Sequence, residues 1–231
     1  MIRISFQDVK QTTSAQGQVG LGTQANTPDG STWVYVKAAE AVAANNVVVP
    51  DAAVAVDTVS SSADQQGRII YITESGAGWT PGAFAGAYGV VDAGTGAGQV
   101  FRVENNTADT LQLYKSTALE TALDVADSDI TLTFPFTVDK SAVTSTVQQA
   151  TGIAQIAFAE GEYGWVLKNG NGGVIAGATL VIGAGFTTGD DTEGQVIPAV
   201  TAEGPFDAQN LGFCRVANSA ADLNTLVYVN I

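Results

Sequence analysis

The sequence predicts an all-β protein, mainly antiparallel, built as a β-barrel or sandwich with an extended N-terminal arm and a possible inserted β-subdomain. Three observations predict it. Val, Thr, Ile and aromatic residues alternate with small or polar ones along most of the chain. Clusters of Gly, Asn, Asp, Ser and Pro break these runs at roughly the 8–12 residue spacing of sandwiches and barrels. The long helices that a doubly wound α/β fold places between its strands are missing from the pattern.

The elements follow in order. Residues 1–20 hold few large apolar side chains after Phe6 and read as an extended arm, with 21–231 as the β-rich body. A Pro-Asp-Gly turn at 28–30 leads into a strand at 32–37, with Trp33 and Tyr35 on one face and Val34 and Val36 on the other. The stretch AAEAVAANN (38–46) reads either as a short helix or as a small-residue connection into a strand at 47–49, which Pro50 ends or places at an edge. Strands are expected at 53–59, 68–73, 87–91, 99–104, 110–114 and 130–134. STALETALDVAD (116–127) is the best helical segment, because Leu119, Ala122, Leu123 and Ala126 fall on one face. Later strands are expected at 151–158, 164–168, 174–182, 195–200, 212–216 and 225–231. The glycine-richer middle, 63–137, reads as a possible insertion.

Composition narrows the function. The 231 residues are 45% hydrophobic and 14% charged, enough for a sizeable core, and the 26 glycines show no three-residue period. The net charge is −14, and the nine basic residues are spread singly. Without clustered cations, neither a nucleic acid nor an anionic membrane surface is an expected partner. A single cysteine, Cys214, allows no intramolecular disulfide. It sits in GFCRV, where a buried structural thiol is the expected state. No secretory h-region is visible near the start, and no apolar run reaches the ~18 residues of a membrane-spanning helix. The absence of histidine excludes a Ser-His-Asp triad, a Cys-His pair and a histidine-based zinc site. Carboxylate pairs, Ser-Lys dyads and all-oxygen metal sites stay open.

The glycine-rich stretch GEYGWVLKNGNGGVIAGATLVIG (161–183) invites a phosphate-binding reading, which fails three checks. It lacks the Gly-Lys-Ser/Thr of a P-loop; Ile175 stands where a dinucleotide fingerprint needs its third glycine; and β-branched residues follow where a helix should open. A β-hairpin is expected instead, with Asn169-Gly170-Asn171-Gly172 as its turn. The acidic loops at Asp190, Asp191 and Glu193 and at Asp124, Asp127 and Asp129 lack the EF-hand order and read as solvated turns. Trp33, Trp79 and Trp165 show no clustering in sequence that would favour a sugar-stacking platform over core positions. The residues alone describe a structural or binding protein: not an enzyme, with no cofactor and no metal ligand set.

Two segments resemble a known family. GTQANTPDGSTWVYVKAAEAVAANNVVV (22–49) is similar to the start of head decoration, or cement, proteins of tailed bacteriophages: a glycine, a D-G turn, an aromatic strand ending in V-x-A, then an alanine-rich stretch into a second strand. ATGIAQIAFAEGEYGWVLKNG (150–170) resembles their later G-x-A-Q-x-A-F-A-x-x-E-Y-G-W-V segment, in the same order along the chain. Residues 60–140 depart from the pattern of short family members. The resemblance implies a homo-trimeric virion protein, made in the host cytoplasm, that sits on the outer capsid surface and cross-links major capsid protein subunits. It implies subunit contacts through the arm and the aromatic strands, with Phe6, Trp33, Tyr35, Tyr163 and Trp165 as candidate interface residues. The competing reading of those rings is that they fill the core. An alternative function is a carbohydrate-binding or host-adhesion module of a tail or head fibre.

Overall fold

A computed structural model describes residues 2–17, 19–141, 150–188, 193–199, 210–218 and 223–231. They form β1 (Ile2–Arg3), β2 (Gln24–Asn26), β3 (Thr32–Ala38), β4 (Val47–Val56), β5 (Ser60–Ala63), β6 (Ile69–Thr73), β7 (Tyr88–Ala93) and β8 (Val100–Asn106). The second half of the chain adds β9 (Thr110–Leu113), β10 (Asp129–Lys140), β11 (Gly152–Ile153), β12 (Tyr163–Ala176), β13 (Gly185–Thr188), β14 (Val196–Pro198), β15 (Gly212–Cys214) and β16 (Leu223–Asn230). Single 3-10 turns lie at Asp8–Lys10 and Lys115–Thr117, and the described residues contain no α-helix. The protein is all-β and mainly antiparallel. It divides into two units, Met1–Asp51 with Pro135–Ile231, and Ala52–Phe134. The chain leaves the first unit within β4 and returns to it within β10.

β12 organises the first unit. Residues 163–169 pair antiparallel with β3, and residues 169–176 pair antiparallel with β16. From β16 the pairings run through β15, β13 and β14, and β14 returns to β12 at Val196 opposite Ala176. Five strands thus close on themselves through that last pair, which is the barrel arrangement. Val174, Ala176, Phe186, Val196, Val227 and Val229 are buried in one core cluster. β3 is buried on both faces: Trp33 and Tyr35 belong to that cluster, Val34 and Val36 to a second one with Val48 and Val166.

The expected hairpin at 169–172 does not exist. The residues from Trp165 through Asn169-Gly170-Asn171-Gly172 to Ile175 form one continuous strand. The glycines are needed for crowding rather than reversal. Gly170 has φ +130°, and a Cβ there would run into the Ser31 side chain. A Cβ on Gly173 would lie 2.7 Å from Asn45 Oδ1. The register against β3 shifts between Leu167 and Asn169, where β12 passes from one partner to the other. Glycine within a strand marks such bulges and close backbone approaches.

Other expectations also shift. Pro50 does not end a strand; β4 runs through it with Pro50 exposed. Of 151–158 only Gly152 and Ile153 are strand, and of 38–46 Ala38 ends β3 and the rest is a connection, with Val42 bridged to Phe158. The segment read as an arm lies along its own unit. β1 pairs with β2, Val9 is buried, and Thr13 and Tyr163 exchange backbone hydrogen bonds of 2.9 and 2.8 Å.

In the second unit, β5, β6, β9, β8, β7 and the start of β10 pair antiparallel in that order. Ile70, Ile72, Phe101, Leu111, Ile130 and Leu132 are buried in its core. The helix expected at 116–127 is absent. Its periodic leucines, Leu119 and Leu123, are buried, but tertiary partners hold the backbone. Leu119 N–H donates to Ile69 O, Glu120 and Thr121 N–H to Gln99 Oε1 at 2.7 and 2.9 Å, and Leu123 N–H to Ser61 Oγ at 2.7 Å. Those bonds take the donors that an i→i−4 ladder would use.

Candidate interaction surfaces

The five candidate contact residues separate by burial. Trp33, Tyr35 and Trp165 are buried in the first unit's core. Trp165 lies opposite Tyr35 across β12 and β3, with ring centroids 5.1 Å apart. Trp33 Nε1 donates to Thr27 Oγ1 at 3.1 Å, so the indole's polar edge is satisfied internally. These three rings fill the core, because the strands that carry them are covered on both faces. Tyr163 is half-buried beside Tyr35, and burial, then the Tyr35 charge, raises its pKa. Phe6 is 47% exposed. Of the five, only Phe6 and Tyr163 present surface in this chain.

The structure shows other exposed apolar side chains that sequence reading passed over. On the first unit they are Phe213 (44%), Leu226 (45%) and Val216 (51%), with Val181 and Ile182 also exposed. Phe213 stacks on Tyr228 across the β15–β16 pair at 5.2 Å. Cys214, next along β15, is buried, and its thiol donates to Val216 O at 3.1 Å. The alternation Gly212–Phe213–Cys214 carries the information, but period 2 does not say which face is covered.

On the second unit, β7 and β8 turn Tyr88, Val90, Val100 and Arg102 away from the core. Tyr88 opposes Arg102, and Val90 opposes Val100. The Arg102 guanidinium carbon lies 5.4 Å from the Tyr88 ring centroid and 5.0 Å from that of Tyr114. Tyr88 is exposed, as are Val90 at 39% and Val100 at 69%.

The acidic residues mostly build turns. Asp124 Oδ1 accepts from Ala126 N–H, Asp127 from Thr95 N–H, and Asp129 from Thr58 N–H. The Thr95 backbone bond leads the causes that hold the Asp127 pKa below its usual value. Asp190 and Asp191 lie outside the described residues, and Glu193 pairs with Lys140 at 3.0 Å. Lys140 also meets Glu40 at 3.4 Å. Beside it, burial, the hydrogen bond and charge of Asp51, and the charge of Glu40 push the Asp139 carboxyl up to about 7, against the opposing Lys140 charge. Among the described residues, no group of three or more Cys, Asp or Glu is arranged to hold a metal ion.

No family model matches the chain, and no curated protein matches it. Among solved structures, it is similar to the crystal structure of the head fiber gp8.5 N base in bacteriophage phi29. The TM-score is 0.34 at 12% identity, over 86% of this chain and 92% of that one.

Proposed function

We propose that the chain is a structural virion protein that decorates and stabilises the outside of a bacteriophage capsid by bridging major capsid protein subunits. The observation that supports this reading is where the two family-like segments fall. β3, from the first segment, and β12, from the second, are hydrogen-bonded neighbours, with Gly164 opposite Val36 and Trp165 opposite Tyr35. The resemblance thus falls on one buried strand pair of the first unit, while most of the divergent 60–140 stretch belongs to the second. The work is mechanical and uses no cofactor. Each contact is weak, and many copies on one closed shell hold by avidity. The apolar surface of Phe213, Leu226 and Val216 suits a shell contact. An acidic chain without a basic patch avoids packaged DNA.

Co-sedimentation with capsids of the encoding phage, before and after head expansion, tests the reading. Saturation at a fixed ratio to the major capsid protein is expected, with Phe213→Asp weakening it. Absence of binding to either form would reject decoration and leave glycan binding, the adhesion reading, to be measured next.

A further inference from the structure

We propose that the outward face of β7 and β8 is a two-fold contact between two copies of this chain, in which Arg102 of each copy meets Glu104 of the other. The proposal stands apart from capsid binding and rests on side chains of the second unit.

Arg102 is a held cation with no anion against it among the described residues. Among the described residues its side chain makes no ion pair or hydrogen bond, and its Nε is buried with no partner. The Tyr88 and Tyr114 rings position it through contacts to the guanidinium. A guanidinium placed in this way has its planar donors set for a carboxylate and little side-chain entropy left to lose. The chain carries 23 acidic residues, yet none of those described reaches it.

Glu104 is exposed two residues further along β8, at the bulge between Val103 and Asn105, and bonds to Gln112, which lies between the buried Leu111 and Leu113 on β9 and so faces outward. Gln112 Nε2 donates to its Oε2 at 2.9 Å, which orients the carboxylate. Its other oxygen has no partner among the described residues. Val100 precedes Arg102 by two residues, and Val90 is its cross-strand partner. The strand therefore presents an exposed valine, a cation and an anion in a row.

This pattern is its own complement. In an isologous contact residue i meets j while j meets i, so one rotation forms two Arg102–Glu104 pairs. It also brings the valines into the interface. A partner surface of a single charge sign would leave either Arg102 or Glu104 buried and unpaired, which is costly. With net charge −14 on each copy, association is opposed overall, and a face carrying one charge of each sign adds no like-charge contact of its own. The contact is two-fold, so it differs from the trimer that the family resemblance implies, which would need a heterologous surface.

Sedimentation equilibrium of the full chain across a concentration series tests the proposal, with circular dichroism verifying the fold of each variant. A monomer–dimer equilibrium that weakens in high salt is expected. Arg102→Glu and Glu104→Arg should each weaken dimerisation by roughly tenfold or more, because each places like charges opposite one another. The double exchange Arg102→Glu with Glu104→Arg should restore it. Val100→Ser, which leaves the charges alone, should weaken it as well. A wild-type monomer at every concentration, a trimer, or a dimer indifferent to the charge exchanges would overturn the proposal.

Discussion

Asp139 shows how one residue can carry a pH dependence. Its carboxyl titrates near 7 in the folded chain because it is partly buried and faces Asp51 and Glu40, with Lys140 as the compensating charge. The unfolded value is near 3.8. Across that window the folded chain keeps a proton that the unfolded chain loses. This group's contribution to stability is therefore full below about pH 4 and is lost as the pH rises through about 7. Asp139→Asn retains a donor toward Asp51 and cannot ionise. Its melting temperature should depend less on pH between 4 and 7 and exceed the wild type's above 7; parallel profiles for the two proteins would sink the account. Nothing in the sequence marks this pair, because it exists only where distant segments bring two carboxylates together. The aromatic residues were more legible. The strand at 32–37 and its alternation are legible in the sequence, but burial of both faces is not, and that burial places Trp33, Tyr35 and Trp165 in the core. A single strand does not announce how many neighbours cover it.

β12 is the element on which sequence and structure differ most. Asn169-Gly170-Asn171-Gly172 has the chemistry of a two-residue turn, and local rules read it so. The strand continues because β3 holds its first half and β16 its second, and those non-local pairings outweigh the local preference. Gly170 is then required by its φ of +130° and by Ser31. Gly170→Ala should destabilise the protein by about 1–3 kcal/mol, the usual cost of such strain, read as a lower melting temperature. An unchanged melt would mean that the strand is not continuous there. The same override removed the helix at 116–127. Its apolar spacing is real, but Gln99 and Ser61 take the amide donors and leave an irregular segment with Leu119 and Leu123 still buried.

At the scale of the molecule, each unit has a hydrophobic core drawn from its own residues. A unit with its own core is expected to fold alone. A fragment of residues 52–134 should give a dispersed amide spectrum and a cooperative melt. A collapsed, undispersed spectrum would show that its core depends on the rest of the chain. The acidity of the whole chain acts at this scale too. A net charge of −14 opposes association between copies of the chain.

By itself the sequence determined the β-rich class, most strands of the middle unit and the lack of histidine chemistry. Those follow from composition and from period-2 alternation, which are local properties. Tertiary structure alone decided that the glycine-rich stretch is strand and not turn, that the three core aromatics are covered, that five strands close on β12, and that Arg102 stands braced by tyrosines with no carboxylate paired to it among the described residues. Each of these depends on which distant segment supplies the neighbouring strand, and pairing between remote strands is set by the combined burial of both partners rather than by either one's local pattern.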